Sequence, residues 1–270
     1  MTGGGTLLAA PRPRGTTVGD RVRFVLRGIG QTLITLGLIV LLFVFYEVFV
    51  TNLFAHERQT KVHNALENAW ANGRDPLLGL PGGASVTIPL GVGIANLYIP
   101  RLGKDYAWTI VEGTSDADLN EGPGHYVGTQ LPGQKGNFAI AGHRVGKGEP
   151  FLNLDRLRPG DAVIVETKST WYVYRVKGSV AKDDLGSTVP DGIPGREIVD
   201  PSDSGVLLPV PNHPGAQVRE KLMTMTTCHP KFTATQRMIV HAVLDPSLTL
   251  PHTNDTKPAP IEALYGKVGV

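Results

Sequence analysis

The segment Met223–Pro230 reads MTMTTCHP and holds the only cysteine in 270 residues, with a histidine directly after it. A thiol is a useful nucleophile when a separate base or positive charge within hydrogen-bonding reach favours the thiolate. A free cysteine can equally be an inert small hydrophobe in a core. Two features favour chemistry here. Pro230 stops the strand-like run and turns the chain away, which leaves Cys228 where a sheet opens to solvent. An apolar N-terminal segment also sends this part of the chain outside the cell, where an unused thiol is an oxidation liability. One cysteine excludes an internal disulfide and any all-cysteine zinc or iron–sulfur site. No C-x-x-C or H-x-x-x-H spacing and no acidic loop cluster is present, so neither a metal nor a cofactor is expected.

The base must come from the eight histidines. His56 and His63 fall in a membrane-proximal helix and His252 in a Pro-rich tail. His229 neighbours the thiol, but adjacent side chains in extended chain point to opposite faces. His241 lies inside the apolar strand MIVHAVL and reads as structural, while His213 sits in a long loop. His125, in the Gly-rich GPGHYVG, and His143, which closes NFAIAGH much as Cys228 closes its own strand, remain. His143 is the better placed. Acyl transfer also needs a group to hold negative charge on the carbonyl oxygen. Arg237, nine residues beyond Cys228, opens the next strand and can face the thiol if the two strands are neighbours.

The elements that must position these residues are mostly strands. The 33 glycines and 21 prolines imply many turns. GIANLYIPRL and DYAWTIVEG are two apolar runs joined by a Gly-Lys turn, and GNFAIAGH is a third. DAVIVETKSTWYVYRVKGSVA alternates around a polar tip as a hairpin does, and KLMTMTTC with QRMIVHAVL forms a further pair. SDADLN and FLNLDRL suit short helical turns. Lys182–Glu220, rich in Pro, Gly and Asp, reads as a long functional loop. The fold class is mainly β, a small barrel or sandwich with short helices, preceded by one transmembrane helix.

Gly28–Tyr46 carries no charge and is long enough to cross a hydrocarbon core of about 30 Å. Arg12, Arg14, Arg21, Arg23 and Arg27 precede it, so the positive-inside rule puts the N-terminus in the cytoplasm and the remainder outside. Tyr46 and Phe49 suit the outer interface. The expected organisation is a cytoplasmic tail over 1–27, an anchor over 28–50, a membrane-proximal helix and linker over 51–85, a catalytic domain over 86–247 and a C-terminal tail over 248–270. Val62, Leu66 and Trp70 make a helical stripe within Glu57–Asn72, taken to lead the chain away from the bilayer. With 26 Lys+Arg against 24 Asp+Glu, no overall field argues for nucleic acid.

Thr224-Met225-Thr226-Thr227-Cys228, an Arg opening the next strand, AIAGHR upstream and an N-terminal anchor together resemble a sortase, a cysteine transpeptidase of Gram-positive cell surfaces. The family's T-L-x-T-C strand appears here with Met for Leu. GPGHYVGTQLPGQKGNFAIAGHR and the TTCHP ending are most similar to class E sortases of actinobacteria, and the likeness runs from about Ile94 to Leu244. The resemblance implies an eight-stranded β-barrel with its substrate loop within Lys182–Glu220. It implies attack by Cys228 on the Thr–Gly bond of a Leu-Ala/Pro-x-Thr-Gly sorting signal, His143 as proton donor and acceptor, and Arg237 at the oxyanion. Tyr126 is linked to Ala after the signal's Leu, and Thr227 to its backbone N–H near the nucleophile; Thr226 and His125 complete the expected substrate-binding set. The implied partners are surface proteins bearing the signal, an amine acceptor such as a peptidoglycan precursor or pilin lysine, and the bilayer. Free thiols titrate near about 8.5 and imidazoles near about 6.5, so a weakly coupled pair implies slow turnover. A plain cysteine protease using water, and a non-catalytic anchored binding module, remain open at this stage.

Overall fold

The computed structural model describes residues 18–46, 51–78, 87–146, 148–188, 190–253 and 256–266. The N-terminal tail to residue 17, the anchor exit at 47–50 with Phe49, and the linker core at 79–86 lie outside the described residues. The chain divides into two compact units, Met1–Glu47 and Val48–Val270. The first contains one helix, α1 (Val18–Phe45), 28 residues long. At 1.5 Å per residue it measures about 42 Å, and its stretch Arg21–Phe45 is long and apolar enough to cross a bilayer. Thr32 and Thr35 return their hydroxyls to the carbonyls of Gly28 and Gln31, both at 2.9 Å, so neither polar group is left for lipid to satisfy.

The second unit begins with α2 (Thr51–Ala71) and continues through β1 (Gly93–Tyr98), β2 (Ala107–Glu112), α3 (Asp116–Glu121), β3 (Gly124–His125) and β4 (Gly136–Ala141). A hairpin of β5 (Ala162–Glu166) and β6 (Thr170–Val176) follows, then β7 (Arg196–Val199), β8 (Lys221–His229), β9 (Gln236–Leu244), β10 (Leu250–Pro251) and α4 (Ala259–Gly266). Eight of the strands close a barrel in the order β6-β5-β1-β2-β3-β4-β8-β9, with β9 pairing back onto β6; β7 and β10 flank β9 and β6. The eight-stranded barrel expected from the sequence is therefore what the chain forms.

Every residue of β4 and of β5 is buried, because both of their faces are covered. On β5, Val163 and Val165 enter the barrel interior with Ile94, Phe138, Met223 and Val240. Ala162 and Ile164 point outward and meet Trp171, Val173, Ile261 and Leu264 in a second apolar cluster beneath α4. Burying Ile261 and Leu264 contributes about 1.5–3 kcal/mol each. The C-terminal tail thus packs on the β5–β6 face.

The helix foreseen at Glu57–Asn72 runs over Thr51–Ala71, and it docks on the barrel. Ala55, Leu66 and Trp70 are buried, and the Gln59 carboxamide accepts from the Thr109 N–H and donates to the Thr109 carbonyl at 3.0 Å. The apolar stripe was legible; its partner, the backbone of β2, was not.

Candidate active site

Cys228 is the penultimate residue of β8 and half-buried. In the antiparallel β8–β9 ladder its direct partner is Arg237. Directly opposed residues share a face with Cβ atoms about 4.5–5.5 Å apart, so the hairpin itself sets the guanidinium stem beside the thiol. In this state Nη1 of Arg237 donates to the carbonyls of Ala234 (3.1 Å) and Gln236 (3.0 Å), which turns it over the β8–β9 loop.

On its other side β8 runs parallel to β4, with Ala141 level with Thr226. The Gly142 N–H continues the pairing to the Thr226 carbonyl at 3.1 Å, and the Thr227 hydroxyl donates to the Gly142 carbonyl at 2.7 Å. Two residues further along each strand come His143 and Cys228, on strands about 4.8 Å apart. Gly142 is required here: a Cβ would lie 2.6 Å from the Phe151 ring, which holds the segment after β4 folded back. The Phe151 N–H then donates to the His143 carbonyl at 3.0 Å. Of the three residues singled out from the sequence, Cys228 and Arg237 therefore sit one residue in from the ends of β8 and β9, and His143 lies two residues beyond the end of the neighbouring β4.

Alternation places Thr224, Thr226 and Cys228 on the outer face of β8, with Ala139 and Ala141 beside them on β4. Small side chains line this face, the floor of the candidate groove, and all but Cys228 are buried. Tyr126 closes one side of it, its hydroxyl 2.8 Å from that of Thr226. Deeper in the floor, the Thr224 hydroxyl donates to Asn137 Oδ1 at 2.7 Å and lies 2.9 Å from His241 Nδ1. Its single proton is committed to Asn137, so Thr224 accepts from His241, while His241 Nε2 faces the Glu197 carboxylate at 2.9 Å. Burial raises the Glu197 pKa, but the His241 and Asn212 hydrogen bonds and the His241 charge outweigh it and hold the carboxyl below its usual value. Asn137 also donates to the carbonyls of Val206 and Leu208, both at 3.1 Å, tying the loop after β7 over the groove.

One expectation shifts in detail. His125 does not reach the groove: it is 1% exposed, with Nδ1 2.7 Å from Glu112 and Nε2 engaged by Gln130 and Thr129. Its two-residue strand β3 sits between β2 and β4, which turns the ring inward against Phe138. The Thr227 side chain is committed to Gly142 and is buried. His213 stays outside the groove, bonded to the Pro211 carbonyl at 2.7 Å. Sequence reasoning missed Glu197, hidden in a four-residue strand inside the loop assigned to Lys182–Glu220. It also missed Arg144. That residue is 4% exposed, and its guanidinium meets the Cys228 carbonyl (3.4 Å), His229 Nδ1 (2.8 Å) and Asp155 Oδ1 (3.2 Å). Its signal was its place in AGHR, directly after His143. No group of three or more His, Cys, Asp or Glu side chains suited to a metal occurs among the described residues.

With this geometry in hand, comparison with known proteins is specific. A sortase domain family model matches residues 97–245. The chain is 38% identical over 221 residues to the sortase SrtE1 of Streptomyces coelicolor, covering 79% of this chain and 55% of that protein. It therefore spans just over half the length of that relative. The structure is similar to the SrtF sortase of Corynebacterium diphtheriae (41% identity, TM-score 0.58, covering 70% of this chain and 99% of that one). It is also similar to sortase E1 of Streptomyces coelicolor, solved with a tripeptide in its active site (32% identity, TM-score 0.51, 63% and 98% covered).

Proposed function

Because the chain belongs to the sortase family, we propose that it is a cysteine transpeptidase anchored by α1, with its N-terminus in the cytoplasm and the barrel outside the cell. The single observation that carries the catalytic reading is that Cys228 faces Arg237 across one ladder while His143 follows two residues after the strand paired on its other side. Arg21, Arg23 and Arg27 on the N-terminal part of α1 support the orientation.

In this reading the Cys228 thiolate attacks the Thr carbonyl carbon of a Leu-Ala/Pro-x-Thr-Gly signal held along the β8 groove. The electron pair moves to the carbonyl oxygen, where the Arg237 guanidinium, swung from its loop carbonyls, stabilises it. Collapse breaks the C–N bond, and the His143 imidazolium gives its proton to the departing glycine amine. The thioester then takes an amine from a cell-wall precursor or pilin lysine, the C–S bond breaks, and His143 receives the proton of the incoming amine. Tyr126, beside Thr226 in the groove, is suited to contact the residue after the signal's Leu. The tripeptide bound in the active site of the Streptomyces sortase E1 supports a peptide ligand for this groove.

The test uses the full chain in detergent with Leu-Ala-x-Thr-Gly and Leu-Pro-x-Thr-Gly peptides, with and without an amine acceptor, read by intact mass. A thioester adduct absent from Cys228→Ala, with amine-dependent product, is expected. Arg237→Ala is expected to lower kcat/KM by about 100-fold or more. A folded, reduced protein that forms no adduct would defeat the reading, and product that forms equally well without amine would make the enzyme a protease.

A further inference from the structure

Arg144 is an almost fully buried cation that the reaction above does not use. It directly follows His143, yet its contacts run away from that residue's own segment. Nη1 reaches the Cys228 carbonyl and His229 Nδ1 at the end of β8, and Nη2 reaches Asp155 in the turn Leu154–Arg156. Asp155 is a firm anchor: burial raises its pKa, but its own backbone N–H and the Arg144 and Lys231 charges prevail and keep it ionised. The planar fork of an arginine can bridge three acceptors in fixed directions, which the single ammonium of a lysine cannot.

We propose that Arg144 is a positioning residue for the reaction, clamping the end of the cysteine strand through the Cys228 carbonyl and a neutral His229 and so fixing the thiol relative to His143. The inference rests on the roles given above to Cys228 and His143. The requirement for neutral His229 follows from the donor set. Arginine has no acceptor and does not lose its proton, so His229 Nδ1 must offer a lone pair at 2.8 Å. Protonating His229 removes that lone pair and sets two cations side by side. The other charged groups around the pair are Asp155 and Lys231, while the Cys228 and Arg237 side chains share the opposite face of β8.

The sign of the pH effect follows. The clamp is present at higher pH and is lost as pH falls and His229 protonates. His143 acts in the opposite sense, since its acid form is needed to expel the amine and its contribution fades as pH rises. Ionisation of Cys228 also falls on the acid side. The clamp therefore adds a second proton to the acid limb, so log(kcat/KM) approaches a slope of about two there, where thiol ionisation alone gives about one.

The experiment compares the full chain in detergent as wild type, Arg144→Ala, Arg144→Lys, Asp155→Asn and His229→Asn. Two pH profiles are recorded for each: kcat/KM on the peptide, and the rate of Cys228 alkylation by iodoacetamide. Arg144→Ala is expected to lose about 100-fold in kcat with KM within about twofold, as for a misplaced nucleophile, and Arg144→Lys to recover no more than about a tenth of wild-type kcat. His229→Asn keeps an acceptor near Nδ1 that cannot titrate. It should lose no more than about fivefold at neutral pH and reduce the acid slope from about two to about one in both profiles. A folded Arg144→Ala with wild-type kcat and pH profile would overturn the proposal, as would a His229→Asn profile superimposable on wild type. If Arg144→Ala does not fold, the slopes of His229→Asn and Asp155→Asn decide the matter. Alkylation needs no peptide, so a wild type that forms no thioester would defeat the proposed function while the alkylation slopes still judge the clamp.

Discussion

The outer faces of β1 and β8 stand across the ring from one another, with three strands between them on either side, and both are built from buried polar residues. On β1, Asn96 donates to Glu67 of α2 (3.0 Å) and to Glu166 of β5 (3.1 Å), and accepts from Thr109 (2.8 Å). Tyr98 donates to the same Glu166 oxygen at 2.6 Å, and His252 from the C-terminal tail lies 3.4 Å from the other. On β8, Thr224 joins Asn137, His241 and Glu197. The covers differ. A helix and the C-terminal tail lie over β1, so that network fastens the two ends of the unit to the barrel. Over β8 lies a loop held by two backbone carbonyls, and the uncovered end of the same face carries Cys228. A buried polar face is thus a fastening on one wall and the floor of a groove on the other, and the occupant of the cover decides which.

The largest effect that separates the walls is on stability. Asn96→Ala strands Glu166, Glu67 and Thr109 without their shared partner and should cost about 3 kcal/mol in denaturant unfolding. Turnover of the peptide, measured where the variant is folded, should stay within about twofold, because nothing on that wall touches the groove. A loss of kcat/KM in step with stability would break the division of labour.

On the β8 wall the balance reverses. Thr224→Val keeps the shape but leaves Asn137 Oδ1 and His241 Nδ1 without their common partner, at a cost of about 1–3 kcal/mol. Asn137 is also the residue that holds the Val206 and Leu208 carbonyls, so the loop loosens with it. The expected kinetic signature is a KM raised about tenfold with kcat little changed, since in the proposed function the loop wall binds substrate and does no chemistry. An unchanged KM would show that the loop stays in place without the network.

This contrast also explains what the sequence disclosed. That Cys228 and Arg237 face one another, with His143 just past the neighbouring strand, was legible because strand ends and a hairpin are local patterns, and the register of an antiparallel pair follows from its loop. The apolar stripes of α2 and of β5 were legible too. Unseen were the partners supplied from far along the chain: Glu197 lies 44 residues from His241, and Glu166 lies 70 from Asn96. A polar residue inside an apolar run signals that a partner exists without saying which. His125 misled for a related reason, since a two-residue strand has too little pattern to show which way its ring points. Arg144 was hidden by the default reading of an arginine as a solvated side chain.

The smallest effect is the sharpest discriminator, because the two walls should respond to pH with opposite signs. Burial pushes the Glu166 pKa up; the Tyr98 and Asn96 hydrogen bonds and the His252 charge offset this only in part, and Glu67 adds to the rise. For a carboxyl raised in the folded state, the stabilisation is full below the unfolded value of 4.5 and is lost as pH rises through the folded one. Glu197 is lowered despite burial, so its contribution is present above 4.5 and is lost as pH falls through its folded value. Glu166→Gln, which still accepts from Tyr98, should therefore stabilise the protein at neutral pH by up to about 1 kcal/mol. The gain should vanish on acidification. Glu197→Gln should destabilise at neutral pH by about 1 kcal/mol and lose that penalty as pH falls through the lowered folded value, where wild-type Glu197 is itself protonated. Urea unfolding of both variants between pH 4 and 8 measures the two slopes directly. Slopes of the same sign would mean that the walls differ in their cover alone. Opposite slopes would mean that the β8 wall is held by charge, and that the groove over it weakens in acid where the β1 fastening does not.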